Sequence, residues 1–313
     1  MAAEYNGARP GGGPGPGPGS APEPRPGSEG LLARLRAGPP IVLDGATGTE
    51  LERMGHFSGL PLWSTHALLE APEAVAEVHR RYREAGAEVV TANTFRTQRR
   101  SLARAGLGRR DRELTARAVE LARAAGAAWV AGSAPPLEDC FQPDLVPDEP
   151  DLADEHLRHA HNLAEAGVDL VLCETLNTIR EARAACRAAR ATGLPFWASF
   201  VSWQPGRLLS GEDLAAALRT AVDQGASAVL VNCLPPSALA ACWPALVAAD
   251  APFGVYPNMG EPVDATGDAR REDCTPGEFA ALARGWLEAG ASIVGGCCGT
   301  TPDHIRALAR QIG

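Results

Sequence analysis

The sequence predicts an α/β protein, a single (β/α)8 barrel of the TIM type, and three observations carry that prediction. From about residue 30 onward, eight short apolar runs rich in β-branched residues alternate with Ala/Leu/Arg-rich amphipathic stretches. The runs are near-continuously apolar, as expected of parallel strands covered on both faces. Eight such units also suit a chain of 313 residues, since a β/α barrel typically takes ~250 before insertions. An open doubly wound sheet is the competing arrangement. It calls for a Gly-x-Gly-x-x-Gly turn after its first strand, which "DGATGT" does not supply.

Taken in order, residues 1–29 are Gly/Pro-rich and almost free of large apolar side chains, so they read as a disordered tail ahead of a barrel spanning 30–313. The tail lacks the apolar middle of a signal peptide. The strands follow as "IVLDG" (41–45), "EVVTAN" (88–93), "AWVAGSA" (128–134), "DLVLCET" (169–175), "PFWASFV" (195–201), "AVLVNC" (228–233), "FGVYPN" (253–258) and "SIVGGCC" (292–298). The helices between them carry their own punctuation. "EAGAE", "EAGVD", "DQGAS" and "EAGAS" each close a helix with glycine just before a strand. Thr275-Pro276 and Thr301-Pro302 each read as an N-cap followed by proline at the first helical position.

Composition excludes several functions. Net charge is −9, against a nucleic-acid partner. All 29 basic residues are arginine; with no lysine, Schiff-base aldolase, pyridoxal-phosphate and P-loop chemistry are excluded. No apolar run reaches the ~20 residues of a membrane span. With no export signal, the expected compartment is a reducing cytoplasm, where the eight cysteines are thiols or metal ligands.

A barrel of this type works at the C-terminal ends of its strands. The polar residues there are Asp44, Asn93, Thr94, Glu174, Asn232, Cys233, Asn258, Cys297 and Cys298. Three cysteines at one rim can hold Zn2+ tetrahedrally with a fourth corner open, as in a catalytic site. Adjacent strand residues point to opposite faces, so Cys297 and Cys298 converge only where the chain leaves strand geometry. The flanking glycines are expected to allow this through dihedrals closed to other residues. Three thiolates and one Zn2+ carry a net charge of −1. A bound thiol loses its proton yet stays nucleophilic, which points to attack on an activated methyl carbon. The other five cysteines read as small buried hydrophobes. In "HLRHAH", His156, His159 and His161 read as a solvated helix face.

These residues also carry a resemblance. "LDGATGTELERMG", "TANTF", "LCET", "VNC", "YPNMGE" and "GGCCGTTPDHIRAL" together resemble the homocysteine S-methyltransferase family, from about residue 40 to the C-terminus. The resemblance implies a zinc-containing barrel with Cys233, Cys297 and Cys298 as ligands and catalytic groups, and homocysteine as acceptor with its thiolate as fourth ligand. It implies that Glu174 and the Asp44-Gly45 turn hold the amino-acid end of homocysteine, with Asn258 as a supporting position. An ammonium suits a carboxylate, and a carboxylate suits backbone N–H groups at a glycine turn.

Two rim segments depart from the family pattern. Residues 132–149, "GSAPPLEDCFQPDLVPDE", replace a Gly-Pro-Tyr-Gly segment, and "RTQRRSL" is more basic than usual, with Arg96, Arg99 and Arg100 together. No cobalamin or folate module is read beside the barrel, so the expected donor is a small sulfonium, S-methylmethionine or S-adenosylmethionine, positioned in line with the acceptor. Trp203 and Phe141 would face a sulfonium if they lie at the mouth, or else simply pack. A different thiol or donor stays open, as do a phosphate-binding lyase or isomerase and a non-enzymatic zinc or redox sensor. Stoichiometric zinc and turnover discriminate among them.

Overall fold

The computed structural model describes residues 26–56, 59–259 and 274–312. Residues 1–25 of the expected tail and the end of "YPNMGE" lie outside the described residues. The strands are β1 (Ile41–Val42), β2 (Val89–Ala92), β3 (Trp129–Ala134), β4 (Leu170–Leu176), β5 (Phe196–Phe200), β6 (Ala228–Asn232), β7 (Phe253–Tyr256) and β8 (Ile293–Val294). All pair in parallel, in the order β1-β8-β7-β6-β5-β4-β3-β2. A parallel bridge between Leu43 and Val89 joins β1 to β2, so the sheet closes on itself. Closure separates this barrel from a doubly wound sheet.

Each strand divides its apolar residues between two cores. Ile41, Leu43, Val89, Leu170, Leu172, Trp197, Leu230 and Ile293 fill the barrel interior. Val42, Val90, Val130, Val171, Phe196, Val229 and Val255 face outward into the helix ring. Both faces are therefore dry, which is why the runs read as continuous. The expected glycine stops are present: Gly86, Gly167, Gly225 and Gly290 all have φ between 95° and 109°. Thr275 and Thr301 both form capping boxes, with Glu278 and His304 as partners.

The first helix, Pro26–Ala37, takes in residues 26–29, which composition assigned to the tail. Ser28 is fully buried and donates to the Asp169 carbonyl at 2.8 Å. The Trp129 indole donates to the Gly27 carbonyl at 2.8 Å, and a Cβ at Gly27 would meet Asp169 Oδ1 at 2.6 Å. Small residues here serve close approach rather than disorder. Leu31 and Leu35 enter the interior core from below, so the helix plugs the end at which the strands begin.

Candidate active site

Above the interior core, a cavity of about 280 Å³ opens at the ends of the strands. It is lined by Asp44, Gly45, Glu174, Cys233, Cys297 and Cys298, and by an outer wall that includes Trp63, Phe95, Arg96, Asp139, Cys140 and Phe141. Of the rim residues expected from the sequence, Asp44, Gly45, Asn93, Glu174, Cys233, Cys297 and Cys298 line this cavity, and Thr94, Asn232 and Asn258 do not.

Cys233 follows β6 directly, and strand alternation would turn it away from the interior. A left-handed backbone, φ 54°, re-aims it, a conformation that costs a β-carbon residue about 1–2 kcal/mol. Its Sγ lies 3.0 Å from Cys297 Sγ. All three cysteine sulfurs lie within 4.8 Å of one another and could hold a metal ion. Hydrogen bonds from the Cys233 and Cys298 thiols hold Cys297 well below the ordinary thiol range.

The glycines around the doublet act differently from expectation. Neither Gly295 nor Gly296 has positive φ; only Gly299 does, at 83°. They supply room. A Cβ at Gly296 would meet Thr300 Cγ2 at 2.4 Å, and one at Gly295 would meet Leu43 Cβ at 2.7 Å. Their N–H groups are engaged too, Gly295 with Val255 O and Gly296 with Asp44 O. That leaves no free amide pair there to cradle phosphate, which removes the ground for a phosphate-binding lyase. Segment 257–259 clamps the cysteine turns: Cys297 donates to the Pro257 carbonyl, Met259 to that of Cys298, and Asn258 to that of Leu234. Asn258 thus contributes backbone. Its side chain is fully buried, off the cavity, and among the described residues neither amide atom has a hydrogen-bond partner.

Asp44 and Glu174 are buried carboxyls that pair with no cation among the described residues. Asp44 accepts from the Thr91 amide at 2.7 Å and the Thr91 hydroxyl at 2.9 Å, yet burial pushes its pKa up to about 7. Glu174 accepts from Ser133, and from the Tyr256 hydroxyl at 3.3 Å. Burial, reinforced by the charge on Cys297, pushes its pKa up to about 8 against the pull of Ser133. Glu174 faces inward by the period of β4, which then bulges. Asn232 holds that bulge: its Oδ1 accepts from the Thr175 amide at 3.1 Å, where Thr175 has φ 59°. Gly45 permits the tight floor, since a Cβ there would lie 2.7 Å from Thr300 Oγ1 and Tyr82 Cε1.

Thr91, Ser133, Tyr256 and Tyr82 are partners that the sequence reading missed, and no local motif marks them. Asn93 and Thr94 prove structural, bonded to Ser64 and to the Ser133 carbonyl. The histidine run is corrected. His156 and His159 are buried, and only His161 is exposed. His156 pairs with Glu181 at 3.2 Å. His159 Nε2 donates at 2.9 Å to the carbonyl of Ser133, the residue that holds Glu174. Of the arginine cluster, Arg100 is committed to Glu138, Asp151 and Glu155, Arg99 is exposed, and Arg96 lines the cavity. Phe141 also lines it, with Trp203 stacked on Phe141 at 5.2 Å.

The homocysteine S-methyltransferase family model matches residues 41–312. Homocysteine S-methyltransferase 1 of Zea mays is 33% identical, over 88% of this chain and 95% of the maize protein. Homocysteine S-methyltransferase YbgG of Bacillus subtilis is 31% identical, over 87% of this chain and 94% of its own. The metallated form of the homocysteine methyltransferase MmuM from Escherichia coli superimposes with a TM-score of 0.75 at 30% identity, covering 90% of this chain and 99% of MmuM. A match that runs from the first strand to the last helix leaves no part of the barrel outside it, and the chain belongs to the homocysteine S-methyltransferase family.

Proposed function

We propose that this chain is a zinc enzyme that moves a methyl group from a small sulfonium donor, S-methylmethionine or S-adenosylmethionine, to the thiolate of homocysteine, giving methionine. The observation that carries the reading is the meeting of three sulfurs and two cation-free buried carboxyls on one cavity floor. The donor set suits zinc. Tetrahedral Zn–S bonds of ~2.3 Å need sulfurs ~3.8 Å apart, and these lie within 4.8 Å of one another with one pair at 3.0 Å. Cys233, Cys297 and Cys298 would hold the ion, which supplies the Lewis acidity that ionises an acceptor thiol near neutral pH.

The chain's own groups do the rest. Asp44 and Glu174 take the acceptor's ammonium, because a cation between them relieves the penalty that raises both pKa values. The Gly45 turn offers backbone to the acceptor's carboxylate. Trp63, Phe95 and Phe141 wall the space in which the methyl moves. The donor's C–S bond breaks, its electron pair stays on the donor sulfur, and a new C–S bond forms to the acceptor. A thiolate and a sulfonium become two neutral sulfides, so charge is destroyed, and a water-poor apolar wall favours such a step.

The test is to incubate zinc-replete protein with homocysteine and each sulfonium and to measure methionine by mass. Methionine from at least one donor is expected. Its absence with both, or full activity in Cys298→Ser, overturns the reading.

A further inference from the structure

Arg96 is a charge that the chemistry above does not use. It lies just past β2, lines the cavity, and is only 8% exposed. Among the described residues its Nε–H has no hydrogen-bond partner, and its Nη1 reaches the Glu138 carbonyl only at 3.4 Å. The adjacent acids are committed elsewhere. The Glu138 carboxylate takes Arg100 and Arg104, and that of Asp139 accepts from the Phe141 amide and the Gln142 side chain at 2.9 and 2.8 Å. Among the described residues, no carboxylate pairs with Arg96. A guanidinium buried this far without an anion is costly, and truncating a partner elsewhere would not explain its retention.

Its orientation is also fixed. The guanidinium stacks over the Phe95 ring at 5.4 Å, and Phe95 meets Trp63 edge-on at 5.6 Å. A planar fork held on an aromatic face is preset for bidentate capture of a carboxylate. Arg96 and the three sulfur-bearing residues Cys233, Cys297 and Cys298 line the same cavity.

We propose that Arg96 receives the carboxylate of the sulfonium donor and so sets the barrel's preference for a carboxylated donor over a decarboxylated one. The inference rests on the methyl-transfer reading and adds to it the residue that holds the donor's carboxylate. In that reading the acceptor's thiol, ammonium and carboxylate are taken by the cysteine cluster, by Asp44 and Glu174, and by the Gly45 turn. For the donor's carboxylate, Arg96 is the one basic side chain among the described residues that line the cavity. Arg96 stands on the outer aromatic wall, where the donor enters.

The experiment compares S-methylmethionine with its decarboxylated analogue, (3-aminopropyl)dimethylsulfonium, in wild type, R96Q and R96K. Wild type should prefer the carboxylated donor by about 30-fold or more in kcat/KM, as expected for a lost charge-assisted pair. In R96Q the donor KM should rise by a similar factor, the preference should collapse to a few-fold, and the homocysteine KM should stay within about twofold. R96K should recover part of the preference. A rise in homocysteine KM instead would assign the carboxylate to the acceptor and overturn the proposal, as would equal use of both donors by wild type. Calorimetric binding of the two sulfoniums separates this test from that of the function. Were no donor to yield methionine, selective binding of S-methylmethionine lost in R96Q would uphold the carboxylate site. Equal binding of the two compounds by wild type would overturn it.

Discussion

The two ends of the barrel use the same residue types under opposite rules. Where the strands begin, charges are matched: Arg34 meets Glu88 at 2.9 Å and Arg123 meets Asp169 at 2.7 Å. Leu31 and Leu35 close that end with apolar surface. Where the strands finish, Asp44 and Glu174 are buried, and their partners among the described residues are hydroxyls and an amide. There, three residues with side chains, Trp63, Thr175 and Cys233, adopt left-handed backbone, and thiols are pressed against one another. One end satisfies its groups within the chain; the other leaves them for a ligand. Such departures gather at the rim, where three of the four positive-φ residues with side chains among the described residues lie, Asp250 ahead of β7 being the fourth, as expected of a site built for chemistry.

The sharpest way to break this contrast is at the sulfurs. Cys298→Ser should lower the methyl-transfer rate by ~10³-fold or more and drop bound zinc well below one equivalent, with little change in thermal midpoint. A loss of folding instead would make the rim a structural element. Glu174→Gln comes next. Removing a charged partner of the ammonium should raise the homocysteine KM by about 10²-fold, while donor KM and zinc content hold. Leu31→Ala tests the opposite end. A truncated, fully buried leucine should cost about 3 kcal/mol, lowering the midpoint by about 6 °C with both KM values unchanged. A Leu31→Ala variant with altered KM would show the two ends to be coupled.

The contrast also marks what could be read in the sequence. The eight strands were legible because both faces of each are buried, which leaves continuous apolar runs. The cysteines and acids were legible because few residue types perform their chemistry. The sequence reading failed where a residue acts through distant space. Thr91 and Ser133 hold the two carboxylates from neighbouring strands, and nothing adjacent in sequence marks them. His156 and His159 read as solvated because the helix pattern did not reveal buried partners on other elements. Gly295 and Gly296 were read for their freedom of φ when their use is steric. Gly27 and Ser28 looked like tail for the same reason: small residues signal looseness in composition and close approach in packing.

The smallest effect probes whether the rim's unpaired acids burden the free protein. Glu174 titrates near 8 in the fold against an ordinary value of 4.5, with burial the leading cause. Below about pH 4.5 it is protonated in both folded and unfolded chains and has no effect on their balance. As pH rises toward 8 the unfolded chain releases this proton while the fold retains it, so stability falls across that window and levels off above it. Glu174→Gln has no such proton to release. Relative to the wild type, its thermal midpoint should therefore rise by about 5 °C between pH 5 and pH 8. Homocysteine should narrow that gap at pH 8 by stabilising the wild type alone, because its ammonium supplies the cation that the fold omits. A gap that stays constant with pH would mean that Glu174 is already ionised and compensated in the free protein, and the difference between the barrel's two ends would then be one of shape rather than of charge.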